Sequence, residues 1–382
     1  MKSYDIHTYY CALNKVFGYE PVLAHVLMEQ IGSAEAVFSA SRDEISRALG
    51  RSQGAQEQLG AALLEWAETE LKKVADAGGR FLCPEDEDYP GLLAEIPDPP
   101  LGLYFKSAST PTEVFGLRHA VAVVGTRDLS PYGREWCIRL VRSMAQAQHQ
   151  PLIVSGLAYG ADAAAHRTAL AEGLPTVGVM ATGLDDIYPW RNRPLSEEML
   201  STPGCALVTD YPMGTSPVAL NFIRRNRIIA ALADATLVIE SKTKGGSLIT
   251  AKYANDYDRD VYALPGRVDD PRSQGCNSLI QKKMAEIITG EIDLAERLGL
   301  GAGGGERQDF DGWMDHRYGP DSLAARIAKR VHAQRGIDYE QLSQALDVPY
   351  AHILETVALL EADNVLTTDL LQRCYLSHAA LR

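Results

Sequence analysis

Seven consecutive residues, Asn221-Phe222-Ile223-Arg224-Arg225-Asn226-Arg227, set three guanidiniums beside an aromatic ring, just before the apolar positions Ile228, Ile229, Ala231 and Leu232. Read as a helix start, with Asn221 as cap and the isoleucines toward a core, the segment crowds cations where the helix dipole is already positive. A helix shaped by stability alone avoids that placement, so the pattern points to a bound anion. Guanidiniums take phosphate bidentately, and Phe222 offers a face on which a base can stack. The competing reading is that some of these arginines pair with acids of the fold.

Three other segments place glycine where a strand gives way to a helix. In Val123-Val124-Gly125-Thr126-Arg127, Gly125 permits close approach of a ligand and Arg127 adds a donor. Ser130-Pro131 then supplies a hydroxyl cap and a proline at the first helical position. The alternative there is a tight turn with a solvated arginine. Ser155-Gly156-Leu157-Ala158-Tyr159-Gly160-Ala161-Asp162 carries two glycines around a second helix start, and Lys244-Gly245-Gly246-Ser247 either holds a further phosphate or simply turns the chain. Neither Gly-x-Gly-x-x-Gly at Gly125 nor a Gly-Lys-Ser/Thr ending is present, which disfavours a dinucleotide or P-loop site. Asp162 fits a helix cap better than a catalytic acid, and His166 fits a structural role.

The DNA- or phosphate-binding candidates are thus Gly125, Thr126, Arg127, Ser155, Gly156, Gly160, Asn221, Phe222, Arg224, Arg225, Arg227, Gly245, Gly246 and Ser247. No catalytic residue, cofactor or metal is assigned, because no carboxylate pair, no Ser-His-acid set and no metal-ligand spacing assembles from the loops. An enzyme acting on a nucleotide or its glycosidic bond is the alternative, with Glu240 as its best-placed acid. The six cysteines contain no Cys-x-x-Cys pair and read as free thiols of a reducing compartment.

The elements that must position these residues follow from apolar periodicity. Residues 1–75 carry helical spacing (Leu23, Val26, Leu27, Ile31; Leu59, Leu63, Leu64, Leu71), with breaks or caps at Gly32-Ser33 and Ser41, and read as a small helical domain of SAM or helix-hairpin-helix type. Residues 76–114 form a proline-rich connector with one or two short strands. From 115 to 298, apolar runs at 119–124, 152–155, 176–180, 206–209, 235–240 and 260–264 alternate with helical segments, which predicts a Rossmann-like, doubly wound, mainly parallel α/β sheet. Residues 299–320 read as a flexible linker. Residues 321–382 give helices at 321–334, 338–346 and 350–362 and short strands at 365–369 and 374–376, the pattern of a winged helix.

A net charge of −13 over 382 residues disfavours a polyanion as ligand, but its distribution does not. Residues 1–114 sum to −9 and residues 291–382 to −6, whereas residues 115–290 sum to +2. The N-terminus has no signal-peptide pattern and no segment has membrane-span length, so a cytoplasmic location is expected.

In order and spacing, Val-Gly-Thr-Arg (124–127), Ser-Gly-Leu-Ala-Tyr-Gly-Ala-Asp-Ala-Ala-Ala-His (155–166), Asn-Phe-Ile-Arg-Arg-Asn-Arg-Ile-Ile-Ala (221–230), Gly-Gly-Ser-Leu-Ile-Thr-Ala (245–251) and Leu-Pro-Gly (264–266) resemble the DNA processing protein A family, DprA or Smf. The resemblance implies a Rossmann-like core that binds single-stranded DNA, protects it, forms a homodimer and helps load the RecA recombinase in natural transformation. It places Arg127, Phe222 and the Arg224–Arg227 cluster on DNA. Some relatives carry a basic residue where this chain has Ala219, leaving Arg191, Arg193 or Lys242 as substitutes. Leu279, Ile280, Ile287 and Ile288 are the dimer-surface candidates, and Glu355 and Glu361 make the last long helix a poor reader of DNA.

Overall fold

The computed structural model describes residues 4–50, 58–116, 119–301, 310–334, 337–363, 365–368 and 372–376. They fall into two compact units, divided at Gly303/Gly304.

The first unit is built on one nine-stranded sheet. Its strands are β1 (Arg80–Leu82), β2 (Leu103–Ser107), β3 (Ala120–Val124), β4 (Leu152–Ser155), β5 (Thr176–Val179), β6 (Ala206–Thr209), β7 (Ala235–Val238), β8 (Asp260–Ala263) and β9 (Glu286–Ile287). They lie in the order β1-β2-β6-β5-β4-β3-β7-β8-β9. Neighbours from β6 through to β9 pair in parallel, while β1–β2 and β2–β6 are antiparallel. The six apolar runs of the sequence are the six strands β3 to β8. Every residue of β3 to β7 is buried, as expected of strands covered by helices on both faces.

The 76–114 segment is more than a connector. Its two strands extend the same sheet, with Leu103, Tyr104 and Phe105 of β2 buried beside β6. The N-terminal helices Ile6–Phe17, Pro21–Ile31, Ala34–Ser39, Arg42–Leu49 and Ala61–Asp76 share an apolar core with that edge, in which Leu13, Leu27 and Val74 meet Tyr104, Leu157 and Leu207. Ser33 and Ser41 cap their helices as the sequence suggests, Ser41 in a capping box with Glu44. All six cysteines are buried and outside disulfide bonds. Of the dimer-surface candidates, Leu279 and Ile288 are core residues, whereas Ile287 is exposed.

In the second unit, helices Leu323–Ala333, Tyr339–Leu346 and Tyr350–Ala362 accompany an antiparallel sheet of β10 (Ile337–Asp338), β11 (Leu366–Thr368) and β12 (Arg373–Leu376), with β12 in the middle. Within the expected linker, Phe310–Tyr318 is a helix, because Met314 is fully buried in this unit's core and Trp313 and Tyr318 pack on it. Residues 302–309 of that linker and the Asp369 end of the expected strand lie outside the described residues. Among the described residues no helix is long and apolar enough to cross a membrane.

Candidate nucleic-acid interface

Sheet order reverses between β3 and β7, which are neighbours although three strands separate them in sequence. In an open parallel sheet the crevice at such a switch point, beyond the carboxyl ends of the strands, is where ligands bind. A cavity of about 670 Å³ opens there. The loop after β3 (Val124 to Asp128) forms one wall and the loop after β7 (Ser241 to Ser247) another. The Ala219–Ala231 helix supplies Ala219, Phe222, Arg225 and Asn226.

Several glycines are required by contact. A Cβ on Gly125 would stand 2.7 Å from that of Ala161, so the β3 loop lies directly on the Ala161–Ala171 helix. Gly160, with φ of +75°, caps that helix, and a Cβ there would strike the carbonyls of Thr126 and Arg127. The Ala161 amide donates to the Thr126 carbonyl at 3.2 Å. Arg127 is thus fixed at its backbone while its exposed side chain reaches over the Phe222 ring, 5.3 Å from the centroid. Tyr188 meets the same ring edge-on at 5.4 Å.

The arginine cluster divides by depth. The helix begins at Ala219 after an uncapped Val218, so Asn221 is not its cap, and Arg224, Arg225 and Arg227 fall in its second and third turns. Asn221 is buried instead, accepting the Tyr19 hydroxyl at 3.1 Å on its side chain and that of Tyr211 at 3.3 Å on its carbonyl. Arg224 lies over the Tyr19 ring at 4.4 Å and donates to the Tyr19 carbonyl. Arg225 is buried in the cavity floor, donating to the Gly156 carbonyl at 2.6 Å and to the Val179 carbonyl. Burial lowers its pKa to about 10, while the neighbouring Asp162 favours its charged form. Burial likewise pushes the Asp162 carboxyl above the usual range, opposed mainly by Arg225. A Cβ on Gly156 would sit 2.7 Å from the Arg225 guanidinium and 2.8 Å from the Asp162 carboxylate, so this glycine makes room for the pair.

Arg227 points into the fold, donating to Asp210 at 3.0 Å and to the Asp98 carbonyl at 2.6 Å, both groups that the sequence offers no reason to link. The charge of Arg227 is therefore met by a buried acid of the fold and needs no bound anion. Ser155 is similarly committed: its hydroxyl donates to the Val123 carbonyl at 2.6 Å.

Gly245, Gly246 and Ser247 do line the cavity, and Asn226 ties their loop to the arginine helix by donating to the Gly246 carbonyl at 3.3 Å. The Ser247 hydroxyl is buried and has no hydrogen-bond partner among the described residues. Lys242 and Lys244, both exposed, line the same cavity as Ala219. Arg193 is instead paired with Glu197 at 3.0 Å.

Two acids near these loops have hydrogen-bond partners within the fold. Glu240 is buried and takes both the Ser130 amide (2.9 Å) and hydroxyl (2.5 Å), clamping the start of the Pro131–Ala145 helix. Asp162 takes the Ala158 amide at 3.2 Å in the first turn of its helix, which Gly160 caps. His166 is fully buried with Nδ1 2.7 Å from the Thr176 hydroxyl, which itself donates to the Ile153 carbonyl. The proton must then sit on Nδ1, and burial lowers the imidazole pKa to about 3.

A family model described as DNA recombination-mediator protein A matches residues 80–299. Protein Smf of Synechocystis sp. is 43% identical over 220 residues, which is 58% of this chain and 54% of that relative. The match thus spans about half of the relative's length. The crystal structure of DNA processing protein A from Streptococcus pneumoniae superposes with a TM-score of 0.64 at 30% identity, covering 78% of this chain and 98% of that one. A structure of DNA processing protein A from Helicobacter pylori, described for its single-stranded DNA binding mode, gives a TM-score of 0.50 at 29% identity over 57% of this chain and 95% of that one.

Proposed function

The chain belongs to the DNA recombination-mediator protein A family, and from that premise we propose that the switch-point cavity binds the backbone of single-stranded DNA. One observation carries the reading. Among the described residues, the exposed Arg127, Lys242 and Lys244 around the cavity have no carboxylate within ion-pair distance, while the deeper charges Arg225 and Asp162 face each other. Free cations at the rim suit phosphate, and the ring of Phe222 between Arg127 and Tyr188 suits an unpaired base. Lys242 and Lys244 supply the basic side that Ala219 lacks.

On this reading the protein acts without chemistry on its ligand. It coats incoming single strands in the cytoplasm, works as a homodimer, and hands DNA to the RecA recombinase. The second unit, read as a winged helix, contacts protein rather than DNA, since Glu355 and Glu361 lie on its last long helix. Glu240, the acid on which a nucleotide hydrolase would rest, has both oxygens occupied by Ser130 and lies outside the cavity lining.

A salt titration of binding to single- and double-stranded oligonucleotides of equal length tests the proposal. Single strands should bind more tightly, and Arg127→Ala should lower the log–log salt slope by about 0.7. Equal binding of both forms, or an unchanged slope in Arg127→Ala, would show that the site is misassigned.

A further inference from the structure

A second cavity, of about 380 Å³, adjoins the first and shares Arg127 and Asp128 with it. Arg134, Arg167 and Arg191 line it with Arg127, and all four are exposed. Arg134, Arg167 and Arg191 come from three separate elements, the Pro131–Ala145 helix, the Ala161–Ala171 helix and the Trp190–Asn192 turn, and Arg127 from the loop after β3. Among the described residues, none of the four has a carboxylate within ion-pair distance. The single acid in the lining, Asp128, is already held by Arg272 at 3.1 Å. Four like charges in one small hollow repel one another, and each would be more stable paired. A polyanion relieves that repulsion at several points together.

One exposed aromatic ring lines the hollow, and a second lies under the guanidinium of its Arg191, 5.8 Å from ring centroid to Cζ. Tyr159 lines it at 39% exposure, and Trp190, next to Arg191, is 72% exposed. Large aromatic rings left in water beside unpaired guanidiniums are suited to stacking on bases. Tyr188, two residues before Trp190, edges Phe222 in the first cavity.

We propose that this second cavity is a further nucleotide subsite, in which Arg134, Arg167 and Arg191 hold phosphates of the same strand and Trp190 stacks on a base. It rests on the single-stranded DNA reading of the first cavity. Arg127, common to both linings, marks where the backbone crosses. The subsite sets how long a strand must be to bind fully, and it favours a flexible strand, because successive bases must turn outward to reach Trp190.

The test compares wild type, Arg134→Glu/Arg167→Glu and Trp190→Phe in binding oligo-dT of increasing length. All three positions are exposed, so the variants should fold as wild type does. For wild type, affinity should rise with length and then level, and tryptophan fluorescence should be quenched only by the longer strands. Arg134→Glu/Arg167→Glu should bind the shortest strands as wild type does, yet lose about tenfold or more on long ones, with a salt slope lower by about 1.4 for two phosphates. Trp190→Phe should abolish the length-dependent quenching, since Trp66, Trp136 and Trp313 remain. If wild type binds long strands but the double variant matches it in affinity, slope and quenching, the second subsite is wrong while the first stands. If wild type binds no single strand at any length, both fall.

Discussion

Arg225→Leu distinguishes an arginine that builds the site from one that holds the ligand. Its guanidinium donates to the carbonyls of Gly156 and Val179, in a position only 3% exposed. Leucine keeps much of the bulk but leaves two buried carbonyls unmet, at about 1–3 kcal/mol each. It also strips the buried Asp162 of the neighbouring positive charge that favours its ionised form, and an uncompensated buried charge costs about 3–5 kcal/mol. These overlap, so a loss of roughly 3–6 kcal/mol is expected, a large share of a domain stability of about 5–15 kcal/mol. With a urea dependence of about 1–3 kcal/mol per molar, the midpoint falls by more than about 1 M.

The sign of its pH dependence follows from Asp162. Its folded-state pKa already lies above the unfolded value and rises further without Arg225. A raised carboxyl contributes stability that is full below its unfolded pKa and is lost as pH rises through the folded one. The variant's deficit should therefore be smaller in mild acid than at pH 7, and Asp162→Asn added to it should restore part of the midpoint. The assay is urea unfolding of the full chain by far-ultraviolet circular dichroism, alongside DNA binding below the transition. Arg127→Ala, an exposed position, should unfold within about 0.5 kcal/mol of wild type while binding DNA less well. If Arg225→Leu unfolds at the wild-type midpoint and loses only DNA binding, Arg225 is a ligand donor and the reasoning from burial fails.

His166 gives a second pH effect of opposite sign. Its folded pKa of about 3 lies below the unfolded 6.5. Its contribution is therefore present above pH 6.5 and lost as pH falls toward 3, amounting to roughly 2–3 kcal/mol by pH 4.5. Unfolding free energies from urea titrations at pH 7 and 4.5 should converge by that amount in His166→Leu, and an unchanged acid loss would place the cause elsewhere. Gly160→Ala should destabilise by more than about 2 kcal/mol and weaken DNA binding, because the methyl strikes the carbonyls that hold Arg127. Gly173→Ala, with a similar φ of +74° but nothing within 4 Å, should cost only about 1–2 kcal/mol and leave binding intact. Equal thermal shifts in the two would rule out the contact.

The amino-acid sequence determined the six parallel strands, because each is a short apolar run bounded by turn residues and buried on both faces. It also marked the loops at their carboxyl ends, since Gly125, Gly160 and Gly245 stand where no side chain fits. Those signals are local. The antiparallel addition of β1 and β2 was hidden because β2 pairs with β6, about a hundred residues away, and nothing in Leu103–Ser107 names that partner. The Phe310–Tyr318 helix was masked by its glycine-rich surroundings, although Met314 and Trp313 supply its apolar face.

The arginines show the limit most sharply. Within Arg224-Arg225-Asn226-Arg227 the residue types are alike, yet their surroundings are not. Arg224 stacks on Tyr19, Arg225 braces the floor against Gly156 and Val179, and Arg227 pairs with Asp210. Which way each side chain points depends on where the helix starts and on acids and carbonyls brought in from distant strands. Likewise Arg134, Arg167 and Arg191, spread over nearly sixty residues, become one basic hollow only when two helices and a turn converge beside Arg127. Periodicity and composition report on neighbours along the chain; a guanidinium's partner, and so its role, is chosen by neighbours in space.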